Sequence, residues 1–202
     1  MRVIHCEQGT PEWHGCRAGI PTASSFDKIL TGTGKPSTQA DGYINQLLCE
    51  VMAGASEGIE PTDWMLRGIE MEAEARAFYE LESGADVEQV GFIVGDGCGC
   101  SPDGVIGDDG LIEIKCPNPT THVGYLRAGK VPTGYVPQIQ GQLWVCERDW
   151  CDFLSYCPGL PPMLIRCERD EDYIGKLAER MKWFLDKFES ARLDLIERGY
   201  IT

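Results

Sequence analysis

Residues 101–117 read Ser101-Pro102-Asp103-Gly104-Val105-Ile106-Gly107-Asp108-Asp109-Gly110-Leu111-Ile112-Glu113-Ile114-Lys115-Cys116-Pro117, and the rest of the chain is read outward from them. Gly104–Ile106 and Leu111–Lys115 are short strand candidates, and Asp108-Asp109-Gly110 between them is a hairpin signal. Side chains alternate along a strand, so Ile112 and Ile114 form a core-facing row while Glu113 and Lys115 share the opposite face. The hairpin partner brings Asp103 alongside that face. Two carboxylates and one ammonium converging in this way suit a hard divalent cation such as Mg²⁺, which prefers oxygen ligands. Such an ion neutralises a scissile phosphate and activates water, and a neighbouring amine orients or deprotonates that water. Taken alone, the Glu-x-Lys triplet is a pattern common by chance and more often marks a solvated hairpin with a surface ion pair. The Ser-Pro-Asp-Gly turn, whose aspartate lies ten residues before Glu113, favours the site.

Upstream of the hairpin, residues 31–42 are dense in Gly, Ser, Thr and Pro and read as a loop. Tyr43, Ile44, Leu47, Leu48, Val51 and Met52 then recur at helical spacing, with Asp41 as cap and Gly54 as stop. A second helix is predicted from Thr62 through Glu82, ending at Gly84, and strand character from Val87 to Val94. Downstream, Thr120 to Ala128 and Pro137 to Val145 read as short helices, and Cys151 to Tyr156 and Met163 to Cys167 as strands. Ile174, Leu177, Met181, Phe184 and Phe188 mark a C-terminal helix whose stripe packs on the domain's own core. Helices, then strands, then helices predict one α/β domain over residues 1–202, with a central mixed β-sheet flanked by helices.

The 202 residues are 43% hydrophobic and 25% charged, the balance of an ordinary globular domain that folds without disulfides or metal. No apolar run approaches the ~20 residues of a membrane span, and the first residues lack a hydrophobic signal core. A cytoplasmic protein with ten cysteines, mostly buried free thiols, is therefore expected. Cys98-x-Cys100 and the scattered His5, His14 and His122 lack zinc-site spacing. Eighteen Lys+Arg against thirty-two Asp+Glu leave a net charge of −14, opposite in sign to the footprint of a protein that coats nucleic acid.

The Ser101-Pro102-Asp103-Gly104 turn with Glu113-Ile114-Lys115-Cys116-Pro117 resembles the PD-(D/E)xK nuclease core. More narrowly, it resembles the lambda-type (YqaJ-like) viral alkaline exonucleases, in which an SPDG turn precedes an E-x-K-C-P strand. Three further stretches resemble that family in order. Trp13-His14-Gly15-Cys16-Arg17 with Thr22-Ala23-Ser24 is similar to its W-x-x-x-R and T-A-S segments. Residues 68–76, ending Glu72-Ala73-Glu74-Ala75-Arg76, are similar to its G-x-x-x-E-x-x-A-R helix. Tyr135-Val136-Pro137-Gln138-Ile139-Gln140 is similar to its Y-x-x-Q-x-Q helix.

The resemblance implies a restriction-endonuclease-like fold and a set of roles. Asp103, Glu113, the backbone carbonyl of Ile114 and Glu72 would hold Mg²⁺, two ions in all, with Mn²⁺ as a substitute. Lys115 would contact the attacking water, acting as a base only if its proton affinity is lowered. Gln138 would orient the same water; Gln140 lies roughly 200° further round the helix, so only one of the two faces the site. Arg17, Ser24 and Ser101 would form a pocket for a terminal 5′-phosphate. The implied activity is 5′→3′ exonucleolytic degradation of one strand of linear double-stranded DNA to mononucleotides, leaving 3′ overhangs. The implied partners are a single-strand-annealing recombinase and two further copies in a homotrimeric ring, and the implied source is a bacterial phage or prophage. A ring would reconcile the acidity with DNA if Lys28, Lys35, Arg67, Arg76, Arg127 and Lys130 line its channel. A RecB-like or structure-specific nuclease of other polarity, and a non-catalytic acidic DNA mimic, are the competing readings.

Overall fold

The computed structural model describes residues 1–54 and 63–201. β1 (Arg2–Ile4) leads into α1 (Pro11–Arg17), a 3₁₀ segment at Ala23–Lys28, α2 (Ala40–Ala53) and α3 (Asp63–Ser83). Four strands follow: β2 (Phe92–Gly95), β3 (Cys98–Cys100), β4 (Gly104–Ile106) and β5 (Gly110–Lys115). The helices α4 (Pro119–Ala128) and α5 (Val136–Val145) separate β5 from β6 (Trp150–Ser155), and β7 (Met163–Glu168) and α6 (Glu171–Glu197) come last. Thr62, the expected start of α3, lies outside the described residues.

β4, β5, β6 and β7 form a mixed sheet in that order. Two antiparallel hairpins are joined through a parallel β5–β6 pair, in register from Gly110↔Trp150 to Lys115↔Ser155. Parallel neighbours require a crossover connection. Here α4 and α5 supply it, and the crossover lays α5 against one face of β5.

The sheet buries both faces. On one, Ile112, Ile114 and Leu154 pack with Ala75 and Tyr79 of α3. On the other, Leu111 and Phe153 join the larger core with Ile139 and Leu143 of α5. The same core takes the α6 stripe of Ile174, Leu177, Met181, Phe184 and Phe188, all buried as the periodicity predicts. Residue 141 of α5 has to be glycine, because a Cβ there would fall 2.4 Å from the Phe26 ring. That close approach seats the 3₁₀ segment, and with it Ser24, beside α5.

Several expectations need correction. The one central sheet is two, because β1, β2 and β3 form a separate antiparallel sheet. The stretch from Val87 to Val94 is not one strand, since it changes partners midway. Glu88 exchanges backbone hydrogen bonds of 2.9 and 2.8 Å with Val105, whereas Phe92 pairs with Ile4. The hairpin turn sits one residue earlier than read: Ile106 already faces Gly110, and Gly107 takes the left-handed φ of +54° that the reversal needs. Asp41 lies in the first turn of α2 and does not cap it; the flanking residue is Gln39, with no side-chain cap bond. All ten cysteines are free thiols, and Cys98, Cys100, Cys146, Cys151 and Cys157 are buried. Among the described residues, no helix is long and apolar enough to cross a membrane.

Candidate active site

The β4–β5 hairpin does what its alternation implies. Asp103, immediately before β4, accepts a 2.6 Å hydrogen bond from the backbone N–H of Ile114 in β5. The SPDG aspartate is thereby tied to the strand that carries Glu113 and Lys115. Glu113 faces away from the Ile112/Ile114 row, yet it is fully buried, because α5 covers that face as well. An ionised carboxylate in such a place is strongly destabilising unless paired and hydrogen-bonded. Three donors meet it. Gln138 donates Nε2–H to Oε1 at 2.6 Å, Gln142 donates Nε2–H to Oε2 at 2.7 Å, and the Lys115 ammonium forms an ion pair with Oε1.

Electrostatics concentrate here. Burial pushes the Asp103 carboxyl well above its ordinary pKa, the neighbouring charges of Glu113 and Glu72 push the same way, and Lys115 opposes them. Partial burial works against the Lys115 charge, but the Glu113 and Asp103 carboxylates outweigh it and the pKa is raised. Lys115 is thus held as an ammonium, 28% exposed, with Nζ 5.3 Å from the Tyr135 ring centroid. In this arrangement Lys115 is a charge and hydrogen-bond donor, without the lowered proton affinity that a base role requires.

Beside the acidic group lies a cavity of about 170 Å³, lined by Trp13, Arg17, Thr22, Ser24, Ser101, Gln138 and Gln142 among others. The Ser101 hydroxyl accepts from the Trp13 indole N–H at 2.9 Å and from the Arg17 guanidinium at 3.3 Å, so its own O–H stays available to donate. Arg17 stacks 3.7 Å over the Trp13 ring. Burial lowers the Arg17 pKa, as an anion in the cavity would relieve. Ser24 reaches the same wall, with its hydroxyl 3.2 Å from that of Thr22.

Of the expected residues, Asp103, Glu113, Lys115 and Gln138 are brought together, and Arg17, Ser24 and Ser101 line one cavity. Gln140 turns away, as the helical angle requires, and binds the Glu168 carbonyl. Glu72 is placed differently: its carboxylate pairs with Arg76 at 2.5 Å, one helical turn along α3, and reaches Asp103 only through its field. Among the described residues, no three His, Cys, Asp or Glu side chains are gathered as a preformed metal cage. The donor set nonetheless fits a hard cation, because a buried carboxylate such as Asp103, its pKa raised by burial and by the neighbouring Glu113, is stabilised by added positive charge. Sequence reasoning missed Gln142, although its spacing of four from Gln138 puts both on one helix face. It also missed that Trp13 orients Ser101.

Residues 12–149 match the YqaJ-like viral recombinase domain. An alkaline exonuclease from Laribacter hongkongensis, LHK-Exo, is similar in structure, with a TM-score of 0.86 and 36% identity over 94% of this chain and 98% of that one. LHK-Exo in complex with dAMP gives a TM-score of 0.85, at 36% identity over the same shares of the two chains. A phage-related exonuclease from Haemophilus somnus 129PT shares the fold, with a TM-score of 0.72 and 16% identity over 87% of this chain and 96% of that one. No curated protein matches the sequence. With the domain match covering more than half of its length, the chain belongs to the YqaJ-like viral recombinase family.

Proposed function

We propose that the protein is a divalent-metal-dependent exonuclease of PD-(D/E)xK type that degrades one strand of linear double-stranded DNA from its 5′-phosphorylated end. One observation carries the reading: Gln138 and Gln142 both hold Glu113 and both line the cavity of Arg17 and Ser101, so a phosphate bound there lies next to the carboxylates. The similarity to LHK-Exo at 36% identity, and that enzyme's complex with dAMP, a deoxynucleoside monophosphate, support it.

Asp103, Glu113 and the Ile114 carbonyl would hold Mg²⁺ or Mn²⁺, with Glu72 serving a second ion after release from Arg76. When bound, the metal neutralises charge on the scissile phosphate and lowers the pKa of water. The chain's own groups do the rest. Arg17 grips phosphate oxygens and the Ser101 and Ser24 hydroxyls donate to them, which fixes the strand end. Lys115 donates to the attacking water and compensates developing negative charge. Gln138 is partly exposed and is able to exchange its bond to Glu113 for one to the water. Water attack forms a new P–O bond and breaks the bond from phosphorus to the 3′-oxygen of the terminal nucleotide; the proton of the attacking water passes to solvent, and the 3′-oxygen takes one from solvent to leave as a hydroxyl. A 5′-mononucleotide leaves, and the next residue carries the 5′-phosphate that the pocket requires. The polarity thus follows from where the phosphate is held. A homotrimeric ring, the basic channel within it and a single-strand-annealing recombinase partner belong to the same reading by family resemblance.

The experiment is a comparison of substrates with Mg²⁺: linear duplex with 5′-phosphate ends, linear duplex with 5′-hydroxyl ends, and closed circles. Release of mononucleotides, faster from phosphorylated ends and absent from circles, is expected. Cutting of circles, or digestion from the 3′ end, overturns the reading.

A further inference from the structure

We propose that Gln142 is a positioning residue for Glu113, built into the core to hold the carboxylate of the proposed metal site in one orientation. Glu113 is fully buried, and its two oxygens are served unequally. Oε1 has both Gln138 and Lys115, whereas Gln142 is the donor to Oε2, at 2.7 Å. An ionised carboxylate only accepts, so the Gln142 amide must turn its NH₂ toward Glu113 and its oxygen away. That oxygen is buried with no donor among the described residues. A side chain of similar size without polar atoms would fill the same space and carry no unmet oxygen of its own, but it would leave the buried Oε2 of Glu113 without this donor. The polar residue is therefore explained by what its other end does.

Gln140, on the same helix, is the internal contrast. It too is buried, but both ends of its amide are used, one donating to the Glu168 carbonyl and the other accepting from the Asp170 N–H, each at 2.9 Å. It clamps α5 to the end of β7, and among the described residues both of its hydrogen bonds lie there and not in the acidic site. Gln138 differs in another way: it is only partly buried, so solvent and substrate compete for its amide. Gln142 is 1% exposed, so solvent has far less access to its amide. It keeps Oε2 fixed while the groups around Oε1 rearrange for the ion and the attacking water.

This inference rests on the metal-dependent nuclease reading, and its test separates the two. Gln142→Met keeps the volume and removes the donor; Gln142→Asn keeps the amide and withdraws it by one methylene. Calorimetric titration with Mg²⁺ alone, thermal unfolding, and cleavage of 5′-phosphorylated duplex across Mg²⁺ concentrations are measured for both variants, for Gln140→Met and for the parent protein. Outer partners of metal ligands are worth about 10- to 100-fold in affinity or activity. The expected result is an Mg²⁺ affinity lowered by that factor in both Gln142 variants, with cleavage recovered at high Mg²⁺. Gln140→Met is expected to lower the melting temperature while leaving Mg²⁺ affinity at the parent value. Unchanged Mg²⁺ affinity in the Gln142 variants overturns the proposal, as does loss of folding in both, which makes the residue purely structural. A parent protein that neither binds Mg²⁺ nor cuts DNA removes the underlying nuclease reading instead.

Discussion

The two faces of β5 are built from residues one position apart and obey different physics. Ile112 and Ile114 face α3 and are held by dispersion and the exclusion of water, in a small cluster with Ala75, Tyr79 and Leu154. Glu113 faces α5 from equal depth and is held by two amides and an ammonium. The first face tolerates any apolar group of the right volume. The second is stable only while every donor is in place, and its partners are those a divalent ion would rearrange. The strand thus separates what folds the protein from what the protein is proposed to do. Substitutions on the two faces are expected to separate in the same way.

Lys115→Ala is expected to have the largest effect. Loss of a positioned donor in the transition state lowers kcat by about 10²- to 10³-fold, while affinity for DNA ends stays close to that of the parent; single-turnover cleavage beside an end-binding assay checks both. Ile112→Ala, on the other face, is expected to cost about 2–5 kcal/mol of stability through the cavity it leaves. Cleavage per folded molecule should stay near the parent value, measured by denaturant unfolding and by active-site titration. Equal losses of activity in these two variants would erase the distinction between the faces. Arg17→Ala is expected to reduce the preference for 5′-phosphate over 5′-hydroxyl ends by about tenfold or more, as for a lost charged hydrogen bond of about 1.5–3 kcal/mol.

The smallest effect is a pH dependence. Burial, then Glu113, raises the Asp103 pKa, so the folded metal-free protein holds that proton more tightly than the unfolded chain. Its stability contribution is therefore complete below the ordinary aspartate pKa and is lost as pH rises through the raised value. Mg²⁺, which requires the ionised form, is expected to remove the decline. Thermal unfolding across pH, with and without Mg²⁺ and with Asp103→Asn as reference, measures it; a metal-free difference of opposite slope contradicts the assignment.

The elements legible in the sequence are those with a local period. Alternation in Leu111–Lys115 and the three-four spacing of Ile174, Leu177, Met181, Phe184 and Phe188 place β5 and α6 correctly. β1 and β3, three residues each, have no period to read and exist because β2 pairs with both. For the site, the hairpin fixes Asp103 against Glu113 and Lys115 by local geometry alone. That Glu113 is fully buried depends on the crossover through α5, a tertiary fact invisible in an alternating strand. Gln142 was hidden among three glutamines at alternate positions, although helical spacing from Gln138 already distinguishes it from Gln140. Glu72 shows the opposite case: Glu72 and Arg76 are an i,i+4 pair, and in this arrangement that local pairing prevails over the more distant carboxylates.

The central claim is that Asp103 and Glu113 share a divalent ion next to the Lys115 ammonium. Anomalous scattering from a crystal of the protein grown with Mn²⁺ tests it most directly. The account predicts a Mn²⁺ peak in contact with carboxylate oxygens of both Asp103 and Glu113, within reach of Lys115. Mn²⁺ bound elsewhere, or a site in which Asp103 still accepts from Ile114 and Glu113 still pairs with Lys115 at saturating metal, would contradict it.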